Sequence, residues 1–202
     1  IPNSVTAIGS EAFRGCSNLT DIIIPESVTS VGSFAFMDCV NLTDITIPFG
    51  VTSIDWGTFK NCSNLTNITI PSSVTEICYL AFETCSSLTS IIIPNSVTFI
   101  EDFAFVDCSS LTDITIPDSV TYIGPAAFSG CSSLKSITIP SSVTELSDGI
   151  FRMSLTIASL STTLSPCLSF PLSISLITSP ILSQKYLAIA CIASSESILK
   201  LI

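Results

Sequence analysis

A strict period of 23 residues restricts the fold of this chain more than any other feature. The dipeptide Ile-Pro begins at residue 1 and returns every 23 residues as far as residue 139. A unit of this length cannot bury its own apolar side chains, so consecutive units must stack and share one core. The sequence therefore predicts a repeat solenoid in which equivalent side chains lie over one another. The invariant columns are Phe13, Phe36, Phe59, Phe82, Phe105, Phe128 and Phe151; Cys16, Cys39, Cys62, Cys85, Cys108 and Cys131; and Leu19, Leu42, Leu65, Leu88, Leu111 and Leu134.

Each unit is predicted to form two short strands and one helical turn. Alternation in the stretch L-T-D-I-I-I-P turns Leu19, Ile22 and Ile24 inward, and the proline ends this strand because it donates no backbone hydrogen bond. The following stretch S-V-T-S-V-G has the pattern of a second extended segment. In F-A-F-M-D-C, Phe36 and Cys39 have helical spacing. Parallel strands on adjacent rungs lie about 4.8 Å apart, so each column becomes a continuous apolar stripe.

These residues resemble the leucine-rich repeat pattern L-x-x-L-x-L, represented here by Leu19, Ile22 and Ile24. In detail, the I-P-x-S-V, A-F and C-x-x-L signatures resemble the BspA-like, or Treponema-type, class over residues 1 to about 151. The resemblance implies a right-handed superhelix of 23-residue rungs with a parallel β-sheet on its concave face and short strands and helical turns elsewhere. It also implies protein binding or adhesion in a cell-surface or secreted protein. Serine replaces the asparagine of the common repeat, and we expect its hydroxyl to cap the turn.

The period predicts two segments. Residues 1–153 form the solenoid, with six full repeats and a partial seventh, and residues 154–202 form a tail rich in Ser, Leu and Ile. The next cysteine is due at Ser154, and Pro166 and Pro171 interrupt the four-residue leucine spacing that follows. Two interpretations stay open for this tail: an irregular cap over the last rung, or a peptide produced by a slip of the reading frame.

Composition argues against several classes of function. With 16 acidic and 6 basic residues the net charge is −10, which does not suit a nucleic-acid partner. No apolar run approaches the roughly 20 residues that a membrane span requires. The chain has no histidine, no G-x-S-x-G motif and no phosphate-binding glycine loop, so we expect neither catalysis nor a cofactor. Because the chain begins inside a repeat, we interpret it as a fragment of a longer protein. We expect this fragment to be monomeric.

The cysteines suggest core packing and not chemistry. The periodic column lies between Phe and Leu columns, without a C-x-x-C pair or a histidine, so we expect buried, unreactive thiols and no metal site. Cys78, Cys167 and Cys191 break the period, and we expect these three to be exposed.

A polar column is predicted on the outer face of the first strand. Stacked carboxylates at Asp21 and Asp44 could bind a hard cation such as calcium, but two carboxylates without a loop of carbonyl ligands make a weak case. We therefore expect a solvated polar face, and the sequence alone does not decide whether calcium binds. The column consists of Asp21, Asp44, Asn67, Ser90, Asp113 and Ser136.

The variable positions of a rigid repeat are where recognition is expected. Aromatic residues are frequent at binding hot spots, so these positions predict a surface for a protein ligand, such as a host or matrix protein. The alternative is a structural spacer whose aromatic side chains extend the core. A clustered and exposed Trp56, Tyr79 and Phe103 would favour binding. The predicted partner surface comprises Phe34, Phe49, Trp56, Tyr79, Phe99, Phe103, Tyr122, Asp21, Asp44 and Asp113.

Overall fold

The computed structural model describes residues 1–147 and 149–151, and the predicted tail lies outside this part of the chain. Within it, all regular secondary structure is parallel β-structure, and every strand pair joins residues that are 23 apart, such as Asp44 and Asn67. The predicted repeat solenoid is therefore confirmed. The strands are β1 (Ala7–Ile8), β2 (Ser30–Val31), β3 (Asp44–Thr46), β4 (Ser53–Ile54), β5 (Asn67–Thr69), β6 (Glu76–Ile77), β7 (Ser90–Ile92), β8 (Phe99–Ile100), β9 (Asp113–Thr115) and β10 (Tyr122–Ile123).

The strands fall into two rows along the stack. In the first strand row, β3 pairs with β5 and β7 with β9, and their central isoleucines point inward. In the second strand row, β1 pairs with β2, and β4, β6, β8 and β10 form one four-stranded sheet. The two rows correspond to the two strands predicted for each unit. No helix in the described residues is long and apolar enough to cross a membrane.

The phenylalanine column forms the centre of the core, as predicted. The rings of Phe59 and Phe82 stack with their centroids 5.5 Å apart, and those of Phe82 and Phe105 are 5.2 Å apart. Phe36, Phe59, Phe82 and Phe105 are completely buried. Burial of such a side chain contributes about 1.5–3 kcal/mol, so this column is a principal source of stability.

The predicted helical turn is wrong. The N–H groups of Phe34 and Phe36 donate to the carbonyls of Trp56 and Thr58 on the next rung, at 2.7 and 2.9 Å, whereas the intervening Ala35 donates back along its own rung. An α-helix would direct every N–H to a residue four positions earlier, which would leave none for the neighbouring rung. The segment instead forms a third line of hydrogen bonds between rungs.

This alternation depends on a left-handed backbone at two positions of each rung. The second position bears Asp38, Asn61 and Asp107, residue types that tolerate positive φ, but also the β-branched Thr84 with φ 57°. At this second position the sequence therefore fits the turn at most rungs, and Thr84 is the residue left strained. The first column is Glu11, Phe34, Gly57, Leu80, Phe103, Ala126 and Gly149, and the second is Gly15, Asp38, Asn61, Thr84, Asp107 and Gly130.

The serine column links rungs and does not cap its own turn. The hydroxyl of Ser73 donates to the carbonyl of Val51 at 2.7 Å, and that of Ser96 to Val74 at 2.6 Å. Each acceptor belongs to the preceding rung. The expected turn cap is thus replaced by a hydrogen bond that fixes the separation of adjacent rungs.

Replacement of one central phenylalanine tests the shared core. Phe82→Ala should lower the free energy of unfolding by about 3–5 kcal/mol, because it leaves a cavity between two stacked rings. Phe49→Ala, at a side chain that is 65% exposed, should change it by no more than about 0.5 kcal/mol. Urea unfolding followed by circular dichroism measures both. Equal effects of the two substitutions would contradict a core centred on this column.

Relief of the strained turn should stabilise the chain. Thr84→Asn should raise the free energy of unfolding by about 0.5–1 kcal/mol, because Asn adopts positive φ at less cost than a β-branched residue. Thr75→Asn is the matched control, since Thr75 lies outside the positive-φ columns and its hydroxyl donates to Thr52. The same unfolding measurement applies, and a loss of stability in Thr84→Asn would rule out the strain.

Candidate functional site

Three aromatic side chains from successive rungs form a contiguous group, which we call the aromatic cluster: Trp56, Tyr79 and Phe103. The Trp56 and Tyr79 rings are 6.2 Å apart at 66°, and the Tyr79 and Phe103 rings are 5.8 Å apart at 85°. Trp56 is 54% exposed, Tyr79 is 38% exposed, and Phe103 is half-buried. Edge-to-face contacts of this kind hold the rings in place, so the cluster offers an ordered aromatic surface to solvent.

Backbone conformation explains how a fourth ring reaches this surface. Phe34 packs against Gly57, and both have positive φ. A Cβ atom on Gly57 would lie 2.4 Å from the Phe34 ring, so only glycine leaves room for it. Phe34 is half-buried against the rung that bears Trp56. It therefore supports the edge of the cluster and contributes less exposed area.

A second aromatic pair lies along the second strand row. Phe99 in β8 and Tyr122 in β10 are register partners, with ring centroids 6.2 Å apart and exposed fractions of 42% and 38%. The Tyr122 hydroxyl donates to the Asp102 carboxylate at 3.3 Å. Burial, and the negative charge of Asp102 beside it, raise the pKa of Tyr122. This aromatic pair therefore has a carboxylate, that of Asp102, hydrogen-bonded to one of its two rings.

Four carboxylates border these aromatic side chains: Asp55, Glu76, Glu101 and Asp102, which we call the acidic rim. Glu101 accepts the backbone N–H of Tyr79 at 2.8 Å, and Glu76 is the register partner of Phe99. Among the described residues, salt bridges join Arg14 to Glu11 and Lys60 to Glu83, so neither neutralises the rim. Sequence reasoning missed the rim because its members occupy three different repeat positions that become neighbours only when rungs stack.

Phe49 stands apart from the other predicted aromatic residues. It follows Pro48 on the loop between the two strand rows, and its N–H faces the Glu26 carboxylate at 3.4 Å. Within the described part of the chain its ring stacks on no other ring. The structure therefore does not bring it into the aromatic cluster.

The predicted acidic column is also separate from the cluster. Asp21, Asp44 and Asp113 are exposed on the first strand row, whereas the cluster follows the second. The Asn67 amide donates to Asp44 at 2.7 Å, and Thr20 donates to Asp21 at 3.2 Å. In residues 1–147 and 149–151, no three His, Cys, Asp or Glu side chains gather in a way that would hold a metal ion. The geometry thus adds nothing in favour of calcium.

The periodic cysteine column is buried at its centre and hydrogen-bonded from rung to rung: Cys39, Cys62, Cys85 and Cys108 are buried, and Cys131 is half-buried. Cys16, on the first rung, is exposed, so the expectation of a buried thiol is wrong there. The thiol of Cys62 donates to the Phe36 carbonyl and that of Cys85 to the Phe59 carbonyl, each at 3.1 Å. Burial raises the pKa of Cys39 to about 11 and that of Cys131 to about 12. Such thiols ionise little near neutral pH, and the thiolate is the reactive form.

One expectation about the remaining cysteines is wrong. Cys78 is buried, at 5% exposure, because it packs at the edge of the second strand row. Its pKa is raised to about 12 by burial and then by the charges of Glu101, Asp55 and Glu76 around it. Cys167 and Cys191, which we also expected to be exposed, lie outside the described residues.

Comparison with known proteins agrees with the repeat geometry. The model of the BspA type leucine rich repeat region matches six copies, over residues 1–112 and 99–177. The chain belongs to this family. No curated protein matches it.

Solved structures of bacterial leucine-rich repeat proteins share the fold. One from Bacteroides ovatus is 42% identical with a TM-score of 0.65, covering 67% of this chain and 35% of its own length. One from T. pallidum is 33% identical with a TM-score of 0.55, covering 67% of this chain and 59% of its own. One from Eubacterium ventriosum is 32% identical with a TM-score of 0.70, covering 82% of this chain and 44% of its own. The chain thus spans between about a third and three fifths of these proteins.

The buried thiols should resist alkylation. At pH 8 in the native chain, iodoacetamide should label Cys16, which is exposed, and leave Cys62, Cys85 and Cys108 unmodified. Raising the pH to 9 should not release them, because burial raises the pKa of each thiol well above that range. Peptide mapping by mass spectrometry measures the labelling, with guanidinium-unfolded chain as the control. Native labelling of Cys85 within about tenfold of the Cys16 rate would contradict the packing.

Proposed function

We propose that this chain is a non-catalytic protein-binding module of a larger cell-surface or secreted repeat protein, and that the aromatic cluster is its contact surface. The observation that carries the proposal is the exposure of Trp56 and Tyr79 in an ordered, edge-to-face row. Tyr and Trp contribute large contact area at low entropic cost, and they dominate binding energy in many interfaces. The surface location is an expectation from the family resemblance.

Rigidity supports this assignment. The cluster lies on three rungs that are joined by backbone hydrogen bonds, including those from Gly57 to Tyr79 at 2.9 Å and from Leu80 to Asp102 at 3.3 Å. The surface is therefore preorganised, and binding of a partner would cost little conformational entropy on the side of this chain. In a structural spacer, these side chains would be free to be polar or to fold into the core.

Single alanine substitutions test the surface. Trp56→Ala and Tyr79→Ala in the full chain should each weaken capture of a partner from host or matrix extracts by about tenfold or more, because each removes a central contact. Captured proteins are identified by mass spectrometry, and the affinity of each is then measured against the purified chain.

Phe49→Ala is the matched control, because it removes an aromatic side chain that is 65% exposed but outside the cluster. It should leave capture unchanged. Loss of capture in Phe49→Ala alone would mean that the contact surface lies outside the aromatic cluster. Specific capture that survives both cluster substitutions would overturn the proposal in favour of the spacer.

A further inference from the structure

We propose that the partner is a protein that presents an extended, arginine-rich segment, and that this segment binds along the aromatic cluster and the acidic rim. This inference rests on the proposed function and specifies the chemistry of its partner. It follows from the charge around the cluster, the chemistry of the rings and the spacing between them.

Negative charge borders the aromatic cluster. Asp55, Glu76, Glu101 and Asp102 surround the aromatic residues, and no salt bridge among the described residues neutralises them. The whole chain carries a net charge of −10, which adds a long-range attraction for cations. An acidic partner would be repelled from this surface, whereas a basic one would be drawn to it.

The rings select among basic side chains. A guanidinium group stacks on aromatic faces and forms paired hydrogen bonds with carboxylates, and Trp gives the strongest cation–π contact. Trp56 is 54% exposed, its ring contacts the Tyr79 ring, and the Tyr79 N–H donates to Glu101, so this surface combines exposed rings with a carboxylate. Arginine fits this combination better than lysine does.

Spacing favours an extended segment. Ring centroids along the cluster are 6.2 and 5.8 Å apart, from Trp56 to Tyr79 and from Tyr79 to Phe103. Alternate residues of an extended peptide are about 6.6–6.8 Å apart and point the same way. Arginines at every second position would therefore meet successive rings when the segment runs along the stack.

The surface next to the cluster has room for the continuation of such a segment. A shallow depression of about 270 Å³ begins at Asp55 and extends over the first rungs. It is open in part because Ala7 and Gly9 occupy repeat positions that bear Phe99 and Glu101 in a later rung, although Ile8, Val31 and Val51 also line it. The lining includes Ala7, Gly9, Ser30, Gly32, Ser53 and Asp55.

The single tryptophan of the chain makes the test direct, because Trp56 emission reports this surface alone. The full chain is titrated with a short peptide of alternating arginine and glycine. Trp56 emission should change and saturate, and raising the ionic strength from roughly 0.05 to 0.5 M should weaken binding severalfold. The same peptide with glutamate in place of arginine should produce no change.

Matched charge variants locate the contact. Asp55→Asn/Glu76→Gln should weaken peptide binding by roughly threefold to tenfold, because it removes two rim charges. Glu26→Gln/Asp118→Asn also removes two negative charges, from exposed loop positions away from the rim, and it should have little effect. Equal weakening by both pairs would mean attraction to net charge only, and it would overturn the inference.

Absence of a saturable Trp56 response would also overturn it. That result would leave the proposed function to be decided by the capture experiment, in which Trp56→Ala is compared with Phe49→Ala. Loss of capture in Trp56→Ala together with no peptide binding would mean a partner of different chemistry on the same surface. If neither the peptide titration nor the capture experiment gave the expected result, the aromatic cluster would be rejected as a contact surface.

Discussion

The hydrogen bonds between one rung and the next, which recur at the same few repeat positions, are the constraint on which the rest of this structure depends. Backbone N–H groups, the Ser73 hydroxyl and the Cys85 thiol all donate across that single gap. Since each bond has a fixed length, every rung must have the same rise. Only then can the phenylalanine rings stack in register and exclude water from a core that no single unit could form.

The sequence was sufficient for the architecture, because its period and its apolar columns both depend on stacking alone. It was insufficient for the turn segment. Phe36 and Cys39 face inward at helical spacing, yet the backbone between them alternates its donors and passes through a left-handed residue at Asp38. A periodicity of buried positions cannot distinguish these two conformations. The sign of φ could have been inferred from the Gly, Asp and Asn that recur in that column.

The candidate site was predicted only in part for a related reason. The aromatic residues were visible because each differs from the repeat consensus. Their neighbours were not: the acidic rim assembles from different repeat positions, and Cys78 is buried although it too departs from the consensus. Deviation from a consensus identifies a variable position, but exposure depends on the side chains of the rungs above and below. Such contacts join residues more than 20 positions apart, as Tyr79 and Glu101 show.

Because Trp56, Tyr79 and Phe103 sit on consecutive rungs, the solenoid and its surface respond differently to gain or loss of genetic material. Recombination that inserts or deletes one complete unit rejoins every column and preserves folding. Insertion of a unit between Trp56 and Tyr79 would move the two rings a rung further apart and abolish their contact. An array of this kind can therefore change length without loss of the fold, while the aromatic cluster is inherited only as an uninterrupted block of adjacent units.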